Sequence, residues 1–180
     1  MKRALLLPLL LILAFKPGEP TRWKTAPNAT AAFAIRGLFG TTVHGTIKII
    51  QSDILFDPTD LTRSSFSVIL EVRSLSTGIA LRDDHLMKKD YFDPDAHPRI
   101  TYRSTGIEKS GDGHFLVKGN LTMRGVERPQ VIPFDFSIEG ENARFKGRFT
   151  INRLVYGVGE SSSNMGDNVA ITLDLPVTRG

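Results

Sequence analysis

The side chains best suited to chemistry are few. His44, His85, His97 and His114 are the only imidazoles among 180 residues, and there is no cysteine. Disulfides, iron–sulfur ligation, thiolate zinc sites and a cysteine nucleophile are therefore excluded. No two histidines stand at zinc-ligand spacing. Asp93, Asp95 and His97 alternate and could present three ligands from an extended segment, but Pro94 and Pro98 favour a turn, so no metal is expected. Asp83-Asp84-His85 has the residue types for acid–base work. No nucleophile can be placed beside it, and the expected arrangement is a carboxylate paired with Arg82 or Lys88 and His85 packed alongside. Ser161-Ser162-Ser163 lacks the Gly-x-Ser-x-Gly frame of a nucleophile elbow. Gly157 and Gly159 lack the third glycine and the βα turn of a dinucleotide site. No catalytic residue and no cofactor is expected.

The rest of the chain is dominated by period-2 alternation, which reads as half-buried strands. Phe33 and Ile35 alternate before Gly37. Val43, Gly45, Ile47 and Ile49 lead into a segment that reaches Phe56. Phe66, Val68, Leu70 and Val72 form the cleanest stripe, with Ser67, Glu71 and Arg73 on the other face. Ile100 and Tyr102 follow, then Phe115, Val117 and Leu121, then Ile132, Phe134, Phe136 and Ile138. Phe145, Gly147, Phe149 and Ile151 precede the last run, Val169, Ile171, Leu173 and Leu175. About eight strands suit a small closed barrel or a sandwich. Only Thr77–Lys89 breaks the pattern. There Ile79, Leu81, Leu86 and Met87 fit one side of a short helix that Thr77 would cap. Val158–Asn168 reads as a long connection near a barrel end, with the reach of a lid.

Lys2 and Arg3 precede an apolar run from Ala4 to Phe15, too short to span a bilayer but suited to an export signal. The division expected is a signal peptide over 1–15, a loose Pro-containing leader over 16–30 and one barrel domain over 31–178. Removing Lys2 and Arg3 lowers the formal charge from +4 to +2. That is too small a surplus to indicate nucleic acid. The expected product is a periplasmic or secreted protein with no stable membrane span after processing.

Several segments together resemble the YceI-like family. They are Leu75-Ser76-Thr77 with Arg82-Asp83-Asp84-His85-Leu86 and Tyr91-Phe92-Asp93; His97-Pro98-Arg99-Ile100-Thr101-Tyr102-Arg103-Ser104-Thr105; and Val117-Lys118-Gly119-Asn120-Leu121-Thr122-Met123-Arg124-Gly125-Val126 followed by Arg128-Pro129. The fourth is Phe149, Ile151, Asn152-Arg153 and Tyr156-Gly157-Val158 ahead of Gly166-Asp167-Asn168-Val169. In two places the chain departs from the pattern: Asn28-Ala29-Thr30-Ala31-Ala32 replaces a His-Ser pair before the first Phe, and Glu127 replaces a Thr.

The resemblance implies an all-β fold, an eight-stranded antiparallel lipocalin-like barrel with one short helix. It also implies a carrier of long apolar molecules such as polyisoprenoids. Ten-residue strands of roughly 33 Å tilted about 40° give a barrel ~25 Å tall. A thin chain along its axis gains about 0.8 kcal/mol per buried methylene before ordering costs. The interior residues expected to touch it are Phe33, Ile35, Ile47, Phe66, Val68, Leu70, Val72, Ile100, Tyr102, Phe134, Phe136, Phe149, Ile151, Ile171 and Leu173. The partner expected is a long-chain isoprenoid, isoprenoid quinone or fatty acyl lipid. Two alternatives stay open: an enzyme acting on such a lipid through residues around His85, and a closed-core barrel that makes protein contacts. A cavity separates the last from the others, and turnover dependent on His85 separates the enzyme from the carrier.

Overall fold

The computed structural model describes residues 20–180, so the expected signal segment 1–15 lies outside it. The strands are β1 (Thr21–Thr25), β2 (Thr30–Arg36), β3 (Thr42–Phe56), β4 (Ser65–Glu71), β5 (Arg99–Gly111), β6 (His114–Met123), β7 (Val126–Glu139), β8 (Asn142–Asn152) and β9 (Asn168–Arg179). One helix, α1 (Ala80–Leu86), interrupts them between β4 and β5. All pairings are antiparallel, and β2 through β9 follow one another around the sheet. The sheet closes because β2 pairs with both β3 and β9. β1 pairs with the same two strands nearer their other ends, Thr21 opposite Phe56 and Thr25 opposite Val177. Nine strand segments thus make an eight-stranded barrel, with β1 and β2 end to end in one position. Closure leaves no edge strand to be managed.

β1 differs from the loose leader expected over 16–30. Pro20 and Pro27 bracket it, but Trp23 between them is 3% exposed and its Nε1 donates to the Phe56 carbonyl at 3.1 Å. A large aromatic with a satisfied N–H outweighs the turn tendency of the flanking prolines.

Two irregularities decide which side chains face inward. In β3 the register against β4 shifts between Ile49 and Gln51. Ile50 is the extra residue and is 49% exposed, while Ile47, Ile49, Ile54 and Phe56 are all buried. The inward parity thus passes from odd to even numbers at a β-bulge. A second shift, between Ser104 and Gly106 in β5, carries the inward positions from Ile100 and Tyr102 to Ile107. Between β7 and β8 the ladder runs only from Phe134↔Gly147 to Glu139↔Asn142. Beyond it lie Pro133 and Pro129, which have no N–H to donate.

The two ends of the barrel differ. At the β1 end the interior is filled by aromatic rings. Phe56, fully buried, has Phe136 at 4.9 Å, Phe115 at 5.1 Å, and Phe134 and Phe145 at 5.5 Å between ring centroids, mostly edge to face. Trp23 covers Phe136 at 5.5 Å. Edge-to-face packing of this kind is favourable beyond the area it buries. The other end, ringed by the β2–β3 turn, α1 and the 153–167 connection, is not filled.

Candidate functional site

The interior above the aromatic floor holds two chambers. The lower has a volume of about 140 Å³ and is walled by β2 through β9. The upper, about 530 Å³, extends to the mouth. Ile47, Ile100, Met123, Ile151 and Ile171 line both, so they form a collar where the two meet.

The lower chamber is apolar. Its one polar side chain turned inward, Tyr102, directs its hydroxyl into the wall, 3.1 Å from the carbonyl oxygens of Val117 and Gln130. Burial pushes that phenol well above its ordinary range, so Tyr102 stays a neutral hydrogen-bond donor. The ring fits because position 119 is glycine: a Cβ there would lie 2.7 Å from Tyr102 Cζ and 2.3 Å from the Arg103 carbonyl. Phe66, Val68, Leu70, Phe149, Ile171 and Leu173 pack on the core yet remain half-buried. They border the lower chamber, so unfilled space lies beside them.

Of the fifteen residues expected in the interior, Phe66, Val68, Leu70, Tyr102, Phe134, Phe149 and Leu173 line the lower chamber, and Phe33 and Ile35 line the upper. Ile47, Ile100, Ile151 and Ile171 belong to the shared collar. Two lie elsewhere. Val72 is 1% exposed but starts a 3-10 turn, Val72–Ser74, and borders neither chamber, because β4 ends at Glu71. Phe136 keeps the inward parity of β7 but is part of the aromatic floor. Leu121, Met123, Ile132 and Phe145 also line the cavity, on strands whose alternation was legible.

The upper chamber is roofed from three directions. The β2–β3 turn contributes Arg36, Leu38 and Thr41; the α1 region Thr77, Arg82, His85 and Leu86; and the β8–β9 connection Arg153, Val158, Asn164 and Met165. Thr77 does not cap α1, whose N-cap is Ile79 without a side-chain bond. The polarity is reversed: the Asp83 carboxylate accepts from the Thr77 hydroxyl, from Thr77 N at 2.8 Å and from Ser76 Oγ at 3.2 Å. Burial acts to raise the Asp83 pKa. The Thr77 and Ser76 bonds and the nearby Arg82 charge outweigh it and hold the group below the ordinary carboxylate range. Arg82 donates Nε to Thr77 Oγ1 at 2.7 Å and Nη2 to the Thr77 carbonyl at 3.0 Å. The expected pairing of Asp83 with Arg82 is thus relayed through Thr77. Leu81, placed on the apolar side from sequence, is 84% exposed, and Ile79 is 53% exposed. His85 is exposed and lies against Tyr91, ring centroids 4.8 Å apart.

Arg153 is a site residue that periodicity could not reveal. It is 3% exposed and begins a 3-10 turn, Arg153–Tyr156. Its guanidinium donates to the carbonyls of Val158 (2.6 Å), Glu160 (2.8 Å) and Gly166 (2.9 Å), and stands 3.4 Å from Asp167 Oδ1. Gly159 N reaches the Asp90 carbonyl at 2.7 Å and Gly166 N the Arg36 carbonyl at 2.8 Å. The connection expected as a lid is therefore wound around one buried cation and tied to two neighbouring loops. Asp93, Asp95 and His97 lie in a turn, where His97 N donates to the Asp93 carbonyl and Asp95 pairs with Arg73. Among the described residues no group of three potential ligands is gathered.

Comparison with known proteins points the same way. The model of the YceI-like domain matches residues 23–177. A UPF0312 protein of Pseudomonas syringae pv. tomato is 32% identical over 162 residues, 86% of this chain and 81% of that protein. The crystal structure of Burkholderia cenocepacia BcnA superposes with a TM-score of 0.79 at 24% identity, covering 83% of this chain and 96% of its own. A polyisoprenoid-binding domain from Saccharophagus degradans superposes at 0.69 with 10% identity, over 91% of this chain and all of that domain.

Proposed function

Since the chain belongs to the YceI-like family, we propose that it is an exported, periplasmic or secreted carrier. It sequesters one long-chain amphiphilic lipid, of polyisoprenoid, isoprenoid quinone or fatty acyl type, inside its barrel. The observation that carries this reading is the pair of adjoining chambers that share a collar of residues, the lower one apolar, over a floor of packed rings. A barrel evolved only to be solid would fill that space, since unfilled apolar volume costs stability. The Saccharophagus degradans domain, described as polyisoprenoid-binding, supports the same class of cargo. A carrier also accounts for the chemistry: the lower chamber offers contact and no reactive group, and the buried Tyr102 phenol stays protonated.

Native mass spectrometry of the protein from its own host, followed by solvent extraction, tests the reading. A discrete released lipid is expected, chemically unchanged after prolonged incubation with the protein. Val68→Asp, which sets a carboxylate in the apolar wall, is expected to abolish its retention. A protein that emerges bare and also refuses added isoprenoids and fatty acids would overturn the carrier. A lipid recovered in altered form would establish the enzyme.

A further inference from the structure

We propose that the mouth of the barrel docks on a phospholipid bilayer, with Phe39 and Leu81 entering its surface layer. The inference rests on the carrier reading and names the surface from which that carrier takes its cargo. Its basis is where the fold leaves apolar side chains in water. Among the described residues, eight large apolar side chains are exposed. Five of them, Leu38, Phe39, Ile79, Leu81 and Val155, belong to the β2–β3 turn, the α1 region and the 3-10 turn after β8, all at the mouth. Phe39 and Leu81 are the most exposed of all, at 98% and 84%. At the floor end the connections are charged instead. Asp57, Asp60 and Arg63 lie between β3 and β4, Asp112 between β5 and β6, and Glu141 between β7 and β8.

Two stretches of the rim carry no charge, Gly37-Leu38-Phe39-Gly40-Thr41 and Thr77-Gly78-Ile79-Ala80-Leu81. The first is a pinned turn. Gly37 N donates to the Thr41 carbonyl at 2.7 Å, and Thr41 N and Oγ1 donate to the Leu38 carbonyl at 3.0 and 2.7 Å. Phe39 at its tip has a φ of 54°, a left-handed conformation that bulky residues rarely adopt. Holding the ring there costs conformational energy as well as hydration, and a side chain so exposed has no contact that offsets either. Leu38, the residue before it, lines the upper chamber, so the ring stands at the edge of the opening. In the second stretch α1 shows two sides: Arg82, His85 and Leu86 line the chamber, while Ile79 and Leu81 face solvent. Both stretches border the mouth, and the aromatic floor closes the other end to a tail.

Separate apolar points around an opening suit a fluid interface, which closes around each of them, better than a rigid protein surface. The lipid cargo comes from such an interface, and a tail that passes through a docked mouth stays out of water. The exposed charges in the adjoining segments are of both signs, Arg36, Lys88 and Lys89 against Asp84 and Asp90. That balance selects no strongly anionic surface. A zwitterionic bilayer therefore suffices, and apolar contact holds the protein to it.

In the test, protein from its own host is sedimented with phosphatidylcholine vesicles, and its uptake of geranylgeraniol from them is timed. The double variant Phe39→Asn/Leu81→Gln respects the local backbone, since Asn tolerates the left-handed region and Gln a helix. It is expected to bind the vesicles at least about tenfold more weakly and to load from them more slowly in proportion. Its melting temperature and its Kd for geranylgeraniol dispersed without vesicles are expected to hold. Ile138→Gln, which changes an exposed apolar residue near the floor end of β7, is expected to alter none of these. Phe39→Trp adds a direct reporter, because Trp23 is the only other tryptophan and is buried. Its emission should shift to the blue on vesicles and be quenched by lipids brominated in the acyl chain. A parent that stays in the supernatant, or a double variant that binds and loads as the parent does, would overturn the docking and leave the carrier standing. So would an equal loss in Ile138→Gln, or an emission from Phe39→Trp that vesicles leave unchanged. Vesicle binding through the two tips with no uptake of geranylgeraniol, dispersed or vesicle-borne, would support the docking and remove the carrier reading.

Discussion

Val68 offers the sharpest separation between binding and folding. It lies in β4 between Ser52 of β3 and Tyr102 of β5, points inward, and borders the lower chamber of about 140 Å³. Val68→Phe adds about four carbons, and the adjoining space can receive them without the overpacking that enlarging a tight core residue causes. A ligand tail would lose the same room. Four methylene equivalents at about 0.8 kcal/mol each come to roughly 3 kcal/mol, a weakening of Kd by about 200-fold. The melting temperature should hold or rise, by about 2–4 °C for each kcal/mol the ring gains. Ile69→Phe is the control, on the next residue of the same strand and the opposite face, and should leave Kd within about twofold. Calorimetric titration with geranylgeraniol and a thermal melt of each variant decide the matter. If Val68→Phe melts as the parent does and binds within twofold of it, the lower chamber does not hold the tail. If Ile69→Phe weakens binding equally, the effect does not run through the interior.

Arg153→Ala should release the 153–167 connection. Stripping a buried guanidinium from three carbonyls is expected to cost about 3 kcal/mol and to speed amide exchange over residues 158–167, read by hydrogen exchange. Unchanged exchange there would show that the connection does not depend on its cation. The Asp83 latch should be sensitive to acid. Because its folded pKa lies below its unfolded one, its contribution is complete above about pH 5 and is lost as pH falls through the folded value. Protection at residues 77–87, corrected for the intrinsic exchange rate, should therefore fall in the parent as pH drops below the ordinary carboxylate range, while Asp83→Asn should show the loosened state at every pH.

Much of the barrel was legible because alternation is the direct imprint of a wall with one wet and one dry face. The eight runs beginning with Phe33–Ile35 and ending with Val169–Leu175 fall in strands, apart from Val72 at the end of the third. What escaped was the interruption of the period. After Ile49 the alternation breaks, because a bulge makes Ile50 the residue that switches the parity. Val72 continued the stripe in sequence, but the backbone leaves the sheet one residue earlier to donate Val72 N to the Pro98 carbonyl at 3.0 Å. Phe136 has the right parity and the wrong height, and alternation says nothing about height along the barrel axis. Arg153 was legible only as part of a motif, since a buried cation serving carbonyls far along the chain has no periodic signature. Trp23 shows the converse: a short strand between two prolines is set by one side chain finding its place under the barrel.

The floor of aromatic rings has a consequence for traffic. A barrel open at both ends would let a chain thread through and emerge on the far side. Here Phe56, Phe136 and Trp23 make the bore blind. Whatever enters must leave by the way it came, tail first in and head first out, so loading and delivery share one orientation. The blind bore is also a depth gauge: a tail that stops short leaves empty space above the rings, and one that is too long holds its own head above the rim.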